Sequence, residues 1–460
     1  MKYEGAIIMS MSSALVVLVK SFAVFSVLLF LGMFLRAKVP VLQNLYLPAC
    51  VIGGFIGLFV GPNMFNLIPF PKEIMGVASS LPGVLIVPIL AATPMCLKGS
   101  FLKSAKEKDA FAIACIVCFV SFFQFVIGLG VNLVYEVLGG ESYKTFGLEL
   151  PMGFTGGHGM AGVLGNTLHT MGASWWEVAQ GMASTSATVG LIGGILIGVY
   201  LINMAARKGY TKVVKSVSQV SKEYRVGYYE TGRKRPTMGT QTTIPNSIET
   251  LSLHMALLLA ASGGGYVLNA WISSFHIEIL TAMSTWFYAM VLMAIFWSLI
   301  CHAKIDYLFD DTVKNKLTGL LSDYLIVAAI MSIPIKLVMT YWVPMVIMFV
   351  LGFLFTVPAV YFSCKKYIRD YWFEKVLGPL GCLCGVYVTG MLLTKMADPD
   401  LKTPALKDYS LGYTLGSFVC VPVFAFLISS TYTQRTFIGM VAALILTILS
   451  VIPMVIVCRK

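Results

Sequence analysis

Residues 145–172 read TFGLELPMGFTGGHGMAGVLGNTLHTMG, apolar enough to enter a bilayer yet studded with Gly153, Gly156, Gly157, Gly159, Gly162 and Gly165. Glycine at this density disfavours a continuous helix. Two short half-helices joined by an extended turn fit the pattern better. Irregular backbone at membrane depth is tolerated only where protein or a water-filled cavity covers it. Residues 371–400, YWFEKVLGPLGCLCGVYVTGMLLTKMADPD, have the same character, with Gly378, Gly381, Gly385 and Gly390. Asp398-Pro399 reads as the turn that closes this second stretch.

Around these two stretches lie long apolar runs. The chain has 460 residues, 58% hydrophobic and 12% charged, and a soluble domain carries about twice that share of charge. Hydropathy predicts an all-α polytopic membrane protein with about eleven transmembrane helices. The candidate spans are 12–35, 42–60, 79–97, 110–134 and 177–204, then 251–272, 279–300, 320–335, 342–363, 411–430 and 437–457. The first run is too long for the apolar region of a signal peptide and is followed by Arg36 and Lys38, so it reads as a retained span.

The net charge of +12 does not point to nucleic acid, because the basic residues sit in short loops between apolar runs. One set of loops holds Arg36 and Lys38, Lys103 and Lys106, the run from Arg207 to Arg235, Lys314 and Lys316, Lys365, Lys366 and Arg369, and Lys402 and Lys407. The other set holds little beyond Lys2, Lys72, Lys144, Lys336 and Arg435. The positive-inside rule then puts the N-terminus outside and the central loop in the cytoplasm of a multi-pass cell-membrane protein. In that topology the first glycine-rich stretch dips in from outside and the second from the cytoplasm. The expected organisation is two inverted repeats of five spans each with a re-entrant hairpin, plus an extra C-terminal span. The first repeat covers 1–204 with its hairpin near 145–174. A basic linker covers 205–250, the second repeat 251–430 with its hairpin near 371–400, and the extra span 431–460.

Paired broken elements of this kind mark the binding site of secondary transporters. Thr155, Gly156, Gly157, His158 and Gly159 are therefore candidate substrate-binding residues, with Gly385, Thr389 and Gly390 as their partners in the second hairpin. Glycines let a ligand approach the backbone, half-helix N-termini attract carboxylates, and unwound carbonyls hold sodium. Glycine patches also pack helices together. His158 suits a donor to a substrate carboxylate, a titrating group, or a brace bonded to the hairpin backbone. Candidate ion-binding residues are Gly156, Gly381 and Asp323; Asp323, near the start of an apolar run, also suits a helix N-cap. Lys20, inside the first span, snorkels or faces the bundle interior.

The ten cysteines lie mostly in apolar runs and read as packed free thiols. Cys382-Leu383-Cys384 lacks a second ligand pair, GGHG is not HExxH, and no nucleotide-binding signature occurs. The sequence thus points away from an enzyme, from a transition-metal site and from any cofactor.

LPACVIGGFIGL at 47–58, GFTGGHGMAG at 153–162 and RPTMGTQTTIPNSIETLSLHMALL at 235–258, together with the two opposed hairpins, resemble the glutamate:sodium symporter family. The resemblance covers most of the chain and is sharpest at the first hairpin. It implies sodium-coupled uptake of an acidic amino acid by an elevator-like motion of a hairpin-bearing domain, in a homodimer. The family's hairpin glycines fall on Gly156, Gly157 and Gly159, and Met160 stands where a small residue, often threonine, is usual. In the second hairpin GVYVTGMLLTKMADPDLKTP replaces a glycine-rich stretch that continues into an alanine-threonine-proline run, and resembles more distant members. The expectation is a sodium-coupled symporter of a small organic anion, glutamate first, partnered by the lipid bilayer and not by nucleic acid. The alternatives are a proton-coupled carrier of another carboxylate, or a non-transporting membrane scaffold or sensor, which has no need of opposed broken elements.

Overall fold

A computed structural model describes residues 11–45, 47–96, 108–212, 226–229, 235, 237–275, 285–398 and 402–458. Much of the predicted central linker, the start of the predicted span at 279–300 and Pro399 lie outside the described residues. The principal helices are α1 (Met11–Lys38), α2 (Ala49–Val60), α3 (Lys72–Ala91), α4 (Lys108–Val137), α5 (Glu149–Phe154), α6 (Gly157–Thr170) and α7 (Trp176–Arg207). They continue with α8 (Thr250–Ser273), α9 (Thr285–His302), α10 (Asp311–Met331), α11 (Trp342–Tyr367), α12 (Trp372–Leu383), α13 (Tyr387–Ala397), α14 (Ala405–Thr433) and α15 (Thr436–Val457).

Among the described residues nine helices are long and apolar enough to cross a membrane, so the chain is a polytopic α-helical membrane protein. The two remaining predicted spans differ for identifiable reasons. Pro48 ends what 42–60 would have made one helix, since it can neither donate a backbone hydrogen bond nor follow a helical residue without a clash. The result is a short turn, Pro40–Asn44, and the 12-residue α2. The run at 320–335 begins inside α10 and runs past its end at Met331, and the earlier turns of that helix carry Asp311, Lys314 and Lys316. Asp310 is the N-cap of that helix and accepts the Val313 N–H at 3.0 Å. Asp323 sits well inside α10 and is no cap.

The molecule is graded from centre to rim. In α4, 72% of the most apolar window is buried, against 17% in α1 and in α15. Phe30 and Phe34 of α1 and Ile448 and Ile456 of α15 face outward, as helices bathed by lipid tails do. Lys20 is also exposed on α1 and does not face the interior. α1 packs on α2 and α8 on α9, while α2 also packs on α10 and α9 on α3. α3 meets α10, and α4 meets α11.

The predicted broken stretches are two pairs of short helices, α5–α6 and α12–α13, and α14 shows how they are set. Near its start, Asp408 receives the Lys375 ammonium from the first turn of α12 at 2.7 Å. The same ammonium lies 2.6 Å from Asp109, in the first turn of α4. At the other end of α14, the Tyr432 hydroxyl donates to the Met171 carbonyl just past α6 at 2.9 Å. Thr436, beyond that end, donates to the Lys144 carbonyl ahead of α5 at 3.0 Å. The bases of the two pairs therefore lie at opposite ends of the bundle. Asp398 closes the second pair as the sequence suggests, accepting the backbone N–H groups of Lys402 at 2.9 Å and Thr403 at 2.7 Å.

Candidate functional site

From opposite ends the two pairs reach each other. α5 stops at Thr155, where Gly156 (φ +116°) and Gly157 (φ +65°) turn the chain through backbone angles that side chains avoid. A Cβ at Gly157 would also run into the Val386 side chain. The Gly156 N–H donates to the Gly385 carbonyl at 3.1 Å, joining the two tips. This bond sets the amino end of α6 against the carboxyl end of α12. The first has surplus N–H groups and partial positive charge, the second surplus carbonyls and partial negative charge. Side by side, such ends suit a carboxylate and a cation respectively.

Beneath the tips lies a polar network that sequence reading missed. Gln124, completely buried within α4, accepts the Thr155 hydroxyl at 2.7 Å. Its amide donates to the Thr356 hydroxyl of α11 at 2.9 Å and to the Leu383 carbonyl, the last of α12, at 2.9 Å. The available signal was a lone amide in the apolar run FFQFVIG. Such a group is costly at membrane depth unless its hydrogen bonds are met.

The predicted site residues divide. Thr155, Gly156, Gly157 and Gly385 come together at the tips. Thr389 lies just inside the second tip, its N–H bonded to the Val386 carbonyl at 2.9 Å. Gly159 is the third residue of α6, in its first turn, where a Cβ would meet only Ile86 of α3 at 3.4 Å. Gly381 and Gly390 face one another, and a Cβ on Gly381 would lie 2.6 Å from the Gly390 Cα. These two serve close packing of α12 on α13, as small residues do between membrane helices. Asp323 meets the Cys50 thiol of α2. The neighbouring Tyr324 bonds Ser26 of α1 at 2.8 Å, which places this part of α10 beside α1 and α2.

His158 is 1% exposed, and Nε2 lies 3.0 Å from the Thr188 hydroxyl of α7. Thr188 gives its single hydroxyl hydrogen to the Ser184 carbonyl at 3.0 Å. Nε2 must then be the donor, and a neutral ring keeps its lone pair on Nδ1. Nδ1 is buried without a partner among the described residues. His158 thus braces α6 against α7 through a side chain, not the hairpin backbone. Its free nitrogen offers an acceptor instead of the donor expected for a carboxylate. The cysteines are free thiols as the sequence suggests, and among the described residues no group of histidine, cysteine or carboxylate side chains could hold a metal ion.

A multi-pass α-helical membrane protein with two broken helix pairs joined at their tips is the class these features define. Residues 15–372 match the sodium/glutamate symporter family, and the chain belongs to it. This is a family of transporters, not of enzymes. The match stops at Trp372, the first residue of α12, so the second broken pair lies beyond it. No curated protein matches the chain.

Proposed function

We propose that the protein is a sodium-coupled symporter of glutamate in the cell membrane, working by elevator-type alternating access. The observation that carries this reading is the bond between the Gly156 N–H and the Gly385 carbonyl, made between two broken pairs whose bases lie at opposite ends of the bundle. Family membership supplies the substrate and the ion. The α6 amino end would take a carboxylate, and carbonyls at the α12 carboxyl end would take sodium. The pairs act as re-entrant hairpins of two inverted repeats, 1–204 and 251–430, joined by the 205–250 linker and followed by an extra span in 431–460. The reciprocal packing of α2 on α10 and α9 on α3 is what two interlocked halves would produce. The basic loops favour an external N-terminus and a cytoplasmic linker, and the active form would be a homodimer. Uptake of labelled glutamate into proteoliposomes tests the proposal. A sodium gradient alone should drive accumulation. Accumulation that ignores sodium and collapses with the proton gradient would replace this reading with a proton-coupled carrier, and no accumulation under either gradient would leave the scaffold.

A further inference from the structure

We infer that Glu149 is a proton-binding site at the root of the first broken pair, and that its neutral form is the one that seats α5. The consequence for uptake rests on the transport reading above. Glu149 is the first residue of α5 and is completely buried. Its Oε1 accepts the Tyr143 hydroxyl at 2.6 Å, and its Oε2 accepts the Gly147 N–H at 2.6 Å. Both donors are neutral, and among the described residues no lysine or arginine forms an ion pair with Glu149. A carboxylate held away from both water and a cation is expensive, and such a group keeps its proton instead.

The surroundings accept that proton without loss of a hydrogen bond. The Tyr143 hydroxyl that meets Oε1 also lies 3.4 Å from the Met182 sulfur of α7. In the neutral form the carboxyl O–H donates to the Tyr143 oxygen, and the phenol hydrogen turns to the sulfur, a weak acceptor. Oε2 keeps the Gly147 N–H throughout. Gly147 (φ +104°) lies backbone to backbone on Gly128 of α4, where a Cβ would run into the Gly147 carbonyl oxygen. The carboxyl therefore ties the root of α5 to α4 through Gly147 and to α7 through Tyr143. Once the proton leaves, a buried charge has only two neutral donors, and opening the root to water becomes favourable.

The neighbouring groups favour the neutral form. Tyr341 faces Glu149, with Tyr135 of α4 and Glu141 beyond it. Glu136 and Glu177, at the near ends of α4 and α7, are exposed. Lys144 turns to α14 instead, 5.8 Å from the centre of the Tyr432 ring and 3.5 Å from the Thr433 carbonyl. The histidines of α6 face elsewhere, His158 onto Thr188 and His169 onto the Trp176 ring. Glu149 lies outside the nine membrane-crossing helices. Burial pushes its carboxyl from the ordinary 4.5 up to about 7, against its hydrogen bonds, which pull it down. The root stands at the end of the bundle away from Lys375, the outer end by loop charge, so the proton comes from outside.

Infrared spectra of the purified protein at pH 5.5 and pH 8 test the proton directly. Wild type should show the carbonyl stretch of a protonated carboxylic acid at pH 5.5 that Glu149→Gln lacks. With a midpoint of about 7, that Glu149-dependent band should be about tenfold weaker at pH 8 than its full strength. Absence of such a band at pH 5.5 overturns the inference. Glu149→Gln mimics the neutral acid at every pH, since its amide donates to Tyr143 and its oxygen accepts from Gly147. A carboxyl that holds its proton more tightly in the folded state stabilises at low pH, and that contribution is lost as the pH rises from about 4.5 to about 7. The unfolding temperature of wild type should therefore fall relative to Glu149→Gln across that window and run parallel to it above. Curves that run parallel throughout also overturn the inference. Sodium-driven uptake by wild type should fall relative to Glu149→Gln over the same window, and a constant ratio would overturn the role of the proton in seating the pair. Failure of uptake in both proteins, with the band and the stability difference intact, would count against the transport reading alone.

Discussion

Replacing Lys375 with methionine should destabilise the protein more than any other single change at the base of the second hairpin. The ammonium lies 2.6 Å from Asp109 and 2.7 Å from Asp408, and the three side chains are 2%, 18% and 10% exposed. Removing the cation leaves two carboxylates facing each other with little water. Breaking one buried pair costs about 3–5 kcal/mol. The modest exposure of both aspartates places Lys375→Met near the lower end, about 3 kcal/mol. Asp109→Asn should cost less, about 1–2 kcal/mol, because Lys375 keeps Asp408 and an amide still accepts a hydrogen bond. Combining Lys375→Met with Asp109→Asn and Asp408→Asn removes every charge and should recover most of the loss, as replacement of whole buried ion clusters does. Reversible unfolding in mixed micelles measures all three. A loss below about 1 kcal/mol for Lys375→Met, or a triple variant no better than the single, would show that the three charges do not form a mutually dependent buried cluster.

At the first tip, Gly157→Val places a β-branched residue at φ +65° and against Val386, so uptake should be abolished, whereas Gly159→Ala, whose Cβ would meet only Ile86 at 3.4 Å, should retain it. Equal activity in the two variants would count against the hairpin site. His158→Ala should lower stability by about 0.5–1.5 kcal/mol through the lost bond to Thr188. If Nδ1 accepts from the ammonium of an amino acid, that variant should lose more affinity for glutamate than for glutarate, which has no amine, and equal losses would assign His158 to bracing alone. For orientation, an impermeant thiol reagent on intact cells should label Glu141→Cys, exposed between α4 and α5, and miss Lys208→Cys, exposed past α7; the reverse pattern would invert the topology.

The broken elements were legible because glycine density and apolarity conflict within one stretch, and only a helix pair resolves that conflict. Loop charge led to the expectation that they enter from opposite sides, and the bases of the two pairs meet opposite ends of α14. Asp398 was readable as a turn because its side chain acts on the next few residues. Long-range partners were not readable. Nothing local to Gln124 names Thr155, Thr356 or Leu383 as its partners, and nothing near Lys375 points to Asp109, 266 residues away in sequence. Gly381 and Gly390 show the limit from the other side, since a glycine that approaches a ligand and one that packs two helices leave the same mark in the sequence. Asp323 was read against the edge of an apolar run, but α10 begins well before that run, so the carboxylate falls inside the helix.

Val386 is the position at which a sodium-coupled glutamate site formed by the two tips can be probed. Val386 is half-buried, has an ordinary extended backbone and would touch any side chain placed at Gly157. In purified protein the rate of thiol labelling of Val386→Cys should exceed the background set by the native thiols. Glutamate and sodium together should slow that labelling, and neither should do so alone. Labelling that proceeds at one rate whether or not glutamate and sodium are present would contradict such a site.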